Sequence, residues 1–595
     1  MGRGRWAWGW VLLAGCMSTR PQVPRAEGGS GRAEGAVDRL FVGGTVLTLE
    51  EEQPEAEALL LRNGRILAAG ARTSLERLAR PGAVVTELGG AVVLPGFIDA
   101  HGHLAEYVSL WNRPDLSPPP VGQVKTLSDL VALLRCELAA SPPTPGQALV
   151  AFGYDDSQLA ERRHPTRTEL DAVSTDVPVV VLHASGHLAV VNSAALSRLG
   201  LSRHSEDPPG GSLGRGPGGE LDGLLAESAT RLLAQWLTVP EGDEALRVLE
   251  SVQRWFASNG ITTAQEDAAR METVTLLREA AARGGLLLDV VAYPLWTELE
   301  QHAVLRNAVP RVGRERPVYE RGFRVGGMKL VVDGSPQGRT AWLTEPYRVP
   351  PPGRPQGWRG IPVMAPAELG RWVDEAWQGE VQLQVHANGD AALDALLDAV
   401  WQARRRHGPK DLRPVAVHAQ LARYDQVDEM GALGVVPSFF TAHAFYWGDW
   451  YREILGETRA ERISLLRYAL SKGIWASNHA DAPVVPPDML RLLWTSVARE
   501  TRSGHVLGTA ERVTSVQGLE ALTKMAAWQL FEEQEKGTLA PGKRADLVVL
   551  SGNPLTVPVE DLPRLTVVET VKDGRTVYRA DEGKPRGPGG RCTAR

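Results

Sequence analysis

Two histidines separated by one residue, His101 and His103, follow an apolar run over residues 91–98 that predicts a buried strand. Side chains at alternate strand positions point to the same face, so we expect the two imidazoles to converge. A pair of imidazoles at the carboxyl end of a strand supplies half of a divalent-metal site, which makes a metal hydrolase the leading interpretation. The alternative is that one histidine caps a turn and the other is exposed to solvent. The positions of the other candidate ligands must decide between these two interpretations.

Eight short segments rich in β-branched residues, most of them followed by a helical pattern, predict the strands that would position such a site. These segments are residues 91–98, 260–265, 286–293, 323–333, 381–386, 414–418, 434–440 and 473–481. Eight is the number of strands that a (β/α)8 TIM barrel requires. In such a barrel the carboxyl ends of the strands form one rim, where the chemistry is done.

Side chains that can bind metals stand at the ends of several of these segments. The chain has 13 histidines, and four of them occupy such positions. Histidine nitrogens suit Zn²⁺, and an aspartate adds an anionic oxygen while leaving room for water. We therefore predict that six residues converge at one rim and hold one or two divalent ions, with zinc the expected metal: His101, His103, Lys329, His386, His418 and Asp481. A lysine ammonium has no lone pair, so Lys329 cannot ligate in that form.

The barrel is flanked by two distant segments that predict a composite β-sandwich in this α/β fold. Short apolar strands broken by Gly-Gly and Asn-Gly occur at residues 40–49 and 58–66, and similar strands occur at 537–550 and 566–578. Neither end supplies enough strands for a sandwich alone, so we expect them to pair. The predicted domains are residues 37–90 for the first half of the sandwich, 91–535 for the barrel, 536–580 for the second half and 581–595 for a tail. Residues 105–254 are too long for one crossover and predict an inserted subdomain after barrel strand 1.

The first 36 residues are typical of targeting rather than of the fold. Arg3 and Arg5 precede an apolar stretch at residues 6–14, which predicts a signal peptide over residues 1–15. The stretch ends in Leu-Ala-Gly-Cys16, which resembles the lipobox of bacterial lipoproteins and implies lipidation of Cys16. Residues 16–36 predict a flexible tether. The expected location is the bacterial cell envelope, with the enzyme anchored by lipid alone and facing the periplasm or the exterior.

Composition narrows the class of partner. The 595 residues are 43% hydrophobic and carry a net charge of −6 with no long basic run, which argues against nucleic-acid binding and favours a small-molecule substrate. Once Cys16 is set aside, only Cys136 and Cys592 remain, and we expect no disulfide framework. The oligomeric state is left open.

Several phrases together resemble the amidohydrolase superfamily, in its branch of long metal-dependent hydrolases typified by N-substituted formamide deformylases and YtcJ-like proteins. The phrases are residues 94–103, Asp333-Gly334-Ser335, residues 386–390, residues 417–420, residues 481–484 and residues 537–550. The resemblance implies a (β/α)8 barrel with a composite sandwich, in agreement with the split halves. It also implies that Lys329 reacts with CO₂ to give a carbamate that bridges two metals. The alternative is that Lys329 pairs with Asp333 or points outward, which would leave one metal.

Such a site predicts hydrolysis by activated water. A bound metal lowers the pKa of water to about 7, and Asp481 would accept its proton and pass it to the leaving group. We expect cleavage of a C–N bond of the amide, N-formyl or N-acyl type in a small organic molecule. Two alternatives are an esterase or lactonase that uses the same site, and a lipid-anchored binding protein without catalysis.

Four further residues are candidates for contact with the substrate. His183 and His187 lie in the predicted insertion, which would cover the mouth of the barrel, although such histidines can also fix a loop. Arg339 follows the fourth strand and would bind a carboxylate or a helix end. Trp447 belongs to residues 439–451, which hold seven aromatic residues and predict either an aryl-binding wall or a buried loop. In the same segment, His443 is the candidate catalytic donor to a substrate carbonyl or oxyanion.

Overall fold

The structure is a computed structural model that describes residues 37–237, 239–313 and 317–592. The strands in chain order are β1 (Arg39–Val42), β2 (Thr45–Leu47), β3 (Glu55–Ala56), β4 (Ala58–Arg62), β5 (Arg65–Gly70), β6 (Val84–Glu87), β7 (Val92–Pro95), β8 (Phe97–Ile98), β9 (Leu149–Tyr154), β10 (Val179–His183), β11 (Leu188–Val191), β12 (Gly211–Arg215), β13 (Leu221–Glu227), β14 (Ile261–Ala269), β15 (Asp289–Pro294), β16 (Phe323–Val325), β17 (Met328–Val331), β18 (Leu383–Ala387), β19 (Val415–His418), β20 (Val436–Phe439), β21 (Ser477–Asn478), β22 (Leu547–Leu550), β23 (Val567–Lys572) and β24 (Arg575–Arg579).

The α-helices lie mainly between these strands. They are α1 (Arg72–Leu78), α2 (Glu106–Leu110), α3 (Leu127–Ala140), α4 (Arg167–Asp171), α5 (Ser193–Arg198), α6 (Gly242–Ala257), α7 (Met271–Ala282), α8 (Trp296–Gln301), α9 (Ala303–Ala308), α10 (Pro366–Gly379), α11 (Asp390–His407), α12 (Tyr424–Leu433), α13 (His443–Ile454), α14 (Glu457–Ala460), α15 (Leu466–Ser471), α16 (Met489–Ala498), α17 (Ser515–Ala521) and α18 (Lys524–Gln529). Short 3₁₀ helices cover Ser228–Trp236, Thr509–Glu511, Val559–Arg564 and Ala580–Glu582. Among the described residues, no helix is long and apolar enough to span a bilayer. The predicted signal peptide, tether and Cys16 lie outside the described residues.

Two parallel sheets position the site. One has the order β16-β15-β14-β8 and the other β17-β18-β19-β20-β21. A parallel bridge between Leu295 and Lys329 joins them at one edge. At the other edge, the N–H of Asp481 donates to the carbonyl of His101 at 3.1 Å, and the N–H of His103 donates to the carbonyl of Ala482 at 2.8 Å. The two sheets are therefore linked at both edges, and the protein has the mixed α/β architecture expected.

The first predicted barrel strand, residues 91–98, is divided between two sheets. β7 pairs with β2 and β22 in the sandwich, and only the two residues of β8 pair with β14. The division falls at Gly96, where a Cβ would lie 2.4 Å from the side chain of Thr262, so only glycine fits. The prediction of one continuous barrel strand was wrong. His101 and His103 lie in the loop after β8, so loop hydrogen bonds rather than strand alternation orient them.

The fourth predicted strand, residues 323–333, is also interrupted. A Cβ at Gly326 would lie 2.5 Å from the Tyr293 ring, and one at Gly327 would lie 2.2 Å from the carbonyl of Gln382. This close approach separates β16 from β17. The eighth strand is shorter than predicted, since β21 covers only two residues of the segment 473–481.

Strands from the two ends of the chain pair with each other. A four-stranded sheet has the order β5-β4-β1-β6, and a six-stranded sheet has the order β24-β23-β22-β7-β2-β3. The predicted strand 40–49 divides at Gly43-Gly44 and contributes to both sheets. Antiparallel pairing of Val93 with Val549 joins the two ends of the chain, and both side chains are buried with Phe41 in one apolar cluster.

The residues between β8 and α6 form a sheet of their own, with the order β12-β13-β11-β10-β9. Alternate side chains of its strands enter two apolar clusters, one that includes α3 and another that includes Trp236. Helix α3 begins at Thr126, whose side chain accepts the N–H of Asp129 while the Asp129 carboxylate accepts the N–H of Thr126. This reciprocal capping satisfies two N–H groups that the helix itself cannot.

One disulfide joins Cys136 in α3 to Cys592 near the end of the chain. The sequence predicts no disulfide framework, and this single bond corrects that expectation. They are 456 residues apart in sequence, so their spacing gives no sign that the fold brings them together. The bond ties the C-terminal segment to α3, which packs against the sheet β12-β13-β11-β10-β9.

Candidate metal centre

His101 is held so that one ring nitrogen is free to bind a metal. Its Nδ1 lies 2.5 Å from Oδ2 of Asp267, near the carboxyl end of β14, and its Nε2 lies 3.2 Å from Oδ1 of Asp481. The Nδ1–H donates to the Asp267 carboxylate, so the Nε2 lone pair faces Asp481. A carboxylate behind a histidine in this way is the usual support of a metal-binding imidazole.

His103 is oriented by the same segment. Its Nδ1–H donates to the main-chain carbonyl of Asp267 at 2.8 Å, and its Nε2 lies 3.5 Å from Oδ1 of Asp481. Burial lowers the pKa of His103, but Asp481 outweighs this effect and raises that pKa to about 10. This position therefore strongly favours a positive charge.

Asp481 and His418 approach from the opposite side of the rim. His418 ends β19, and its Nδ1 lies 3.9 Å from Oδ2 of Asp481. Both residues have positive φ angles, 72° for His418 and 53° for Asp481, which non-glycine residues rarely adopt and which cluster at functional sites. Burial alone would raise the pKa of Asp481, yet His101 and His418 lower it well below its usual value. The carboxylate is therefore ionised.

His386 lies beside His418, with ring centroids 4.6 Å apart. It follows Val385 in β18, and its Nε2 lies 3.1 Å from the side-chain amide nitrogen of Asn388. Its Nδ1 lies 3.3 Å from Asp333 but makes no hydrogen bond to any described residue. Burial lowers the pKa of His386 and of His418 well below the ordinary value, which favours the neutral form of imidazole that binds a metal.

Lys329 is buried in β17 and points to the same centre. Its Nζ donates to Oδ2 of Asp267 at 3.0 Å and lies 3.5 Å from both ring nitrogens of His101. The partner is thus Asp267 rather than Asp333, whose carboxylate accepts the backbone N–H groups of Trp342, Asn388 and Gly389. Burial lowers the pKa of Lys329 against the opposing effect of Asp267.

All six predicted metal ligands line one cavity of about 280 Å³. His183 and His187 of the inserted sheet line it as well. His187 donates from Nδ1 to Glu227 at 2.7 Å, and its ring centroid lies 5.0 Å from that of His386. Burial opposes protonation of His187, but Glu227 raises its pKa above the ordinary value. His183 is held by Asp156 and Ser185 at 3.1 Å and 2.9 Å.

Three other predicted site residues do not line this cavity. His443 is buried between Phe440 and Trp447, and its Nδ1 lies 2.6 Å from the hydroxyl of Tyr451. Burial lowers the pKa of His443 to about 3. Trp447 donates from Nε1 to Asp155 at 2.7 Å and lines a neighbouring cavity. Arg339 stacks on Trp450 at 5.1 Å and donates to the carbonyl of Pro350 at 3.3 Å.

Sequence reasoning missed two residues of the centre. Asp267 was overlooked because the second strand was ended at Gln265, although β14 continues, largely buried, to Ala269. His479 was overlooked beside Asp481, yet its Nε2 lies 3.1 Å from Nδ1 of His418 and its Nδ1 contacts Ser438 at 2.9 Å. The signal for both was a run of polar residues at a strand end, residues 265–267 for the first and residues 477–479 for the second.

The donor set fits a divalent metal. Oδ1 of Asp481 is buried and has no hydrogen-bond partner among the described residues, although it lies within 3.5 Å of Nε2 of His101 and of His103. His101, His418 and Asp481 also offer ligand atoms that lie within 4.8 Å of one another. Buried oxygen and nitrogen atoms that converge without hydrogen bonds are the arrangement that a cation satisfies.

Comparison with known proteins agrees with this chemistry. A model of the Amidohydrolase family, Amidohydro_3, matches residues 84–578. The N-substituted formamide deformylase of Arthrobacter pascens is 30% identical over 555 residues, which cover 91% of this chain and 98% of the relative. The protein YtcJ of Bacillus subtilis (strain 168) is 28% identical over 551 residues, 91% of this chain and 99% of the relative. The predicted resemblance is confirmed.

Two solved structures are similar to this chain in fold. An uncharacterized metal-dependent hydrolase from Pyrococcus furiosus superposes with a TM-score of 0.65 and 26% identity, over 87% of this chain and 100% of the other. A second, from Pyrococcus horikoshii OT3, has a TM-score of 0.67 at 23% identity, over 88% and 99%.

Proposed function

Because the chain belongs to the amidohydrolase family and is a metal-dependent hydrolase, we propose that it cleaves a C–N bond of the amide, N-formyl or N-acyl type in a small organic substrate. One observation carries the proposal: the buried Oδ1 of Asp481 lacks a hydrogen bond within the described structure, yet faces Nε2 of His101 and His103 at 3.2 Å and 3.5 Å. The name of the deformylase relative supports the choice of a C–N bond.

In this proposal five residues hold the divalent metal, for which Zn²⁺ is expected: His101, His103, His386, His418 and Asp481. When bound, such an ion acidifies water to a pKa of about 7 and polarises a carbonyl group. The Asp481 carboxylate accepts the proton of the attacking water and delivers it to the leaving nitrogen, so the amine departs neutral. Asp267 keeps His101 in the tautomer that leaves Nε2 unprotonated.

The substrate carbonyl needs a positioned hydrogen-bond donor. We assign this role to His187, because it lines the cavity and Glu227 favours its protonated form. His443 was the candidate from sequence, but it does not line the cavity, and Tyr451 occupies its Nδ1. In this proposal His443 instead supports the aromatic wall that includes Phe440 and Trp447.

We propose that the two parallel sheets form a closed (β/α)8 barrel with the composite sandwich at its side and the inserted sheet over its mouth. The bridge at Lys329 and the hydrogen bonds between the loops after β8 and β21 support closure. The predicted domain boundaries are kept except that β7, at Val92–Pro95, belongs to the sandwich rather than to the barrel.

We propose two ions per chain, with Lys329 as a carbamate formed when its neutral amine adds to CO₂ and releases a proton. Burial, which lowers the pKa of Lys329, supports this. Lys329→Ala should then halve the metal content and lose activity that short carboxylates partly restore. A single ion in the wild type, with a fully active Lys329→Ala variant, would instead leave Lys329 as the ion-pair partner of Asp267.

We also propose that the protein is lipid-anchored at Cys16 in the cell envelope. The Cys136–Cys592 disulfide supports an oxidising location. Membrane fractionation of a Cys16→Ser variant should show loss of membrane retention, because the thiol is the acyl acceptor. Full retention would contradict the anchor.

Substrate screening tests the function. Purified zinc-loaded enzyme is incubated with N-formyl amines, N-acyl amines, hydantoins and aryl esters, and the released amines or alcohols are quantified by chromatography. We expect release of amines that a chelator abolishes and added zinc restores. Hydrolysis of esters alone would favour the esterase alternative, and no turnover by a metal-loaded enzyme would favour a binding protein.

A further inference from the structure

A second cavity of about 150 Å³ adjoins the metal-centre cavity. Ala184, Pro483 and Val484 line both, together with Phe152 and Gly153. Since Pro483 and Val484 follow Asp481 closely in sequence, the shared wall stands beside the proposed general base. The two cavities are therefore neighbours that share this wall.

The second cavity suits an apolar ring. Its lining includes Tyr107, Phe152, Trp255, Tyr446 and Trp447. A cavity of about 150 Å³ with apolar walls is large enough to bind benzene. Aromatic walls favour a flat ring, which they can contact by stacking or edge-to-face packing.

The carboxylates at the edge of this cavity are already hydrogen-bonded. Asp155 accepts from Ser157 and Gln158, and from Nε1 of Trp447. Asp115 accepts the N–H of Ser117 at 2.8 Å. These contacts leave a ligand apolar packing and one acceptor, because Oε1 of Gln158 lines the cavity and has no hydrogen-bond partner among the described residues.

One wall of the cavity comes from the C-terminal tail, which we define as residues 583–592. Gly587 and Pro588 line the cavity, and a side chain at Gly587 would meet the Trp255 ring at 3.3 Å. The tail therefore lies directly against the aromatic lining. It also lies outside residues 84–578, the part matched by the family model.

The tail is fastened by main-chain hydrogen bonds and by the disulfide. The N–H of Gly589 donates to the carbonyl of Trp111 at 3.0 Å, and the N–H of Cys592 donates to the buried carboxylate of Glu137 at 2.5 Å. The disulfide to Cys136 fixes the same end covalently. Neither cysteine lines the cavity, so the disulfide positions the wall without touching a ligand.

We propose that the second cavity is the subsite for a ring-sized apolar substituent of the substrate, and that the disulfide-fastened tail is the wall that closes it. The proposal rests on the hydrolase function above and names its substrate class. Without the disulfide, the tail is held by hydrogen bonds that water can replace, so the ring loses part of its apolar contact. The metal centre is unaffected.

The test compares formamides whose nitrogen substituent is methyl, cyclohexyl or 2-phenylethyl. Cys592→Ser should raise KM for the two ring-bearing substrates on the order of ten-fold with little change in kcat. It should leave kcat/KM for the methyl substrate within about two-fold. Serine substitution is preferable to a dithiol reductant, which would also bind the metal.

Equal losses for all three substrates, or no change in a folded variant, would overturn the proposal. If Cys592→Ser does not fold, the Val121→Trp variant tests the subsite instead, because Val121 lines the cavity and is 36% exposed. It should lower the ratio of phenylethyl to methyl kcat/KM, whereas Val516→Trp, at a position 42% exposed, should not. An unchanged ratio in Val121→Trp would also overturn the proposal.

A separate measurement distinguishes failure of the subsite from failure of the function. If the wild type hydrolyses none of the formamides, the hydrolase proposal fails for this substrate class. Calorimetric binding of 2-phenylethylamine to the wild type and to Cys592→Ser then tests the subsite alone. Tighter binding by the wild type supports the subsite, and equal binding overturns it.

Discussion

The two ends of the parallel strands both bury charge, but they do so differently. At the amino ends, Lys536 contacts Asp289 at 2.6 Å and Glu532 at 2.7 Å, while Lys572 contacts Asp289 at 3.1 Å. Buried anions there have nearby ammonium groups. At the carboxyl ends, Oδ1 of Asp481 instead faces Nε2 of His101 and of His103 and has no hydrogen bond in the described structure.

This difference suggests separate roles for the two ends: the buried charges at the amino ends stabilise the fold, and those at the carboxyl ends take part in the proposed reaction. Isolated buried ions are costly, so a buried ion network persists when opposite charges and hydrogen bonds offset desolvation. At the carboxyl ends the compensation is incomplete within the chain itself. In the function proposed above, a divalent cation supplies the missing part.

Asp481→Asn should have the largest effect. Asparagine can still offer an oxygen to a metal but cannot accept a proton, so kcat should fall on the order of 10²- to 10⁴-fold. Steady-state kinetics on a confirmed substrate measure this, and added zinc should not restore the rate. Retention of wild-type kcat would show that another group carries the proton.

Lys536→Met should break the amino-end network and leave the chemistry intact. Removing one partner of a buried ion pair costs about 3–5 kcal/mol, because the remaining charges stay buried. Denaturant unfolding measures the change, and kcat per folded molecule should be unchanged. Arg254→Met is the matched control, since the Arg254–Glu250 pair is half exposed and should contribute at most about 0.5 kcal/mol. Equal losses in both variants would contradict the comparison.

Asp267→Asn should weaken the support of the metal centre. The amide cannot provide the negative charge that fixes His101 and pairs with Lys329, so affinity for zinc should fall about 10- to 100-fold. Competition with a chromogenic chelator measures the affinity, and excess zinc should restore much of the rate. Asp243→Asn makes the same change at an exposed carboxylate and should leave the affinity unchanged.

Acid should destabilise the amino-end network. Burial alone would raise the pKa of Asp289, but Lys536, Lys572 and Arg544 lower it well below the ordinary value. The resulting stability is present above about pH 4 and is lost as the pH falls further. The loss should be at most about 1.4 kcal/mol per pH unit from this group. Unfolding curves at pH 3–5 should show that the free energy of unfolding falls less steeply with pH in Lys536→Met than in the wild type. Parallel declines would exclude Asp289 as the source of the acid sensitivity.

The sequence predicted which side chains meet at the cavity better than it predicted the elements that carry them. His101, His103, His386, His418 and Asp481 were identifiable because histidine and aspartate at the ends of apolar runs are unusual. The boundaries were less accessible. Gly96 and the Gly326–Gly327 pair look like ordinary strand glycines, and only the approach of Thr262, Tyr293 and Gln382 reveals why the strands divide there.

Long-range contacts account for the remaining misses. Asp267 supports His101 across 166 residues, and Cys136 bonds to Cys592 across 456, so local periodicity contains no trace of either contact. Arg339 and His443 illustrate the converse. Their positions after predicted strands suggested contact with substrate, but side-chain direction, which a pattern does not specify, placed Trp450 and Tyr451 against them.

The pairing of β7 with β22 also sets an order of events for the newborn chain. Val93 leaves the ribosome early, but its partner Val549 emerges only after almost the whole polypeptide has been made. The central strand of the six-stranded sheet therefore lacks one neighbour throughout most of synthesis. Because non-local pairing is slow and exposed edges invite association with other chains, the early segment depends on its own hairpins or on a chaperone until the last tenth of the protein arrives.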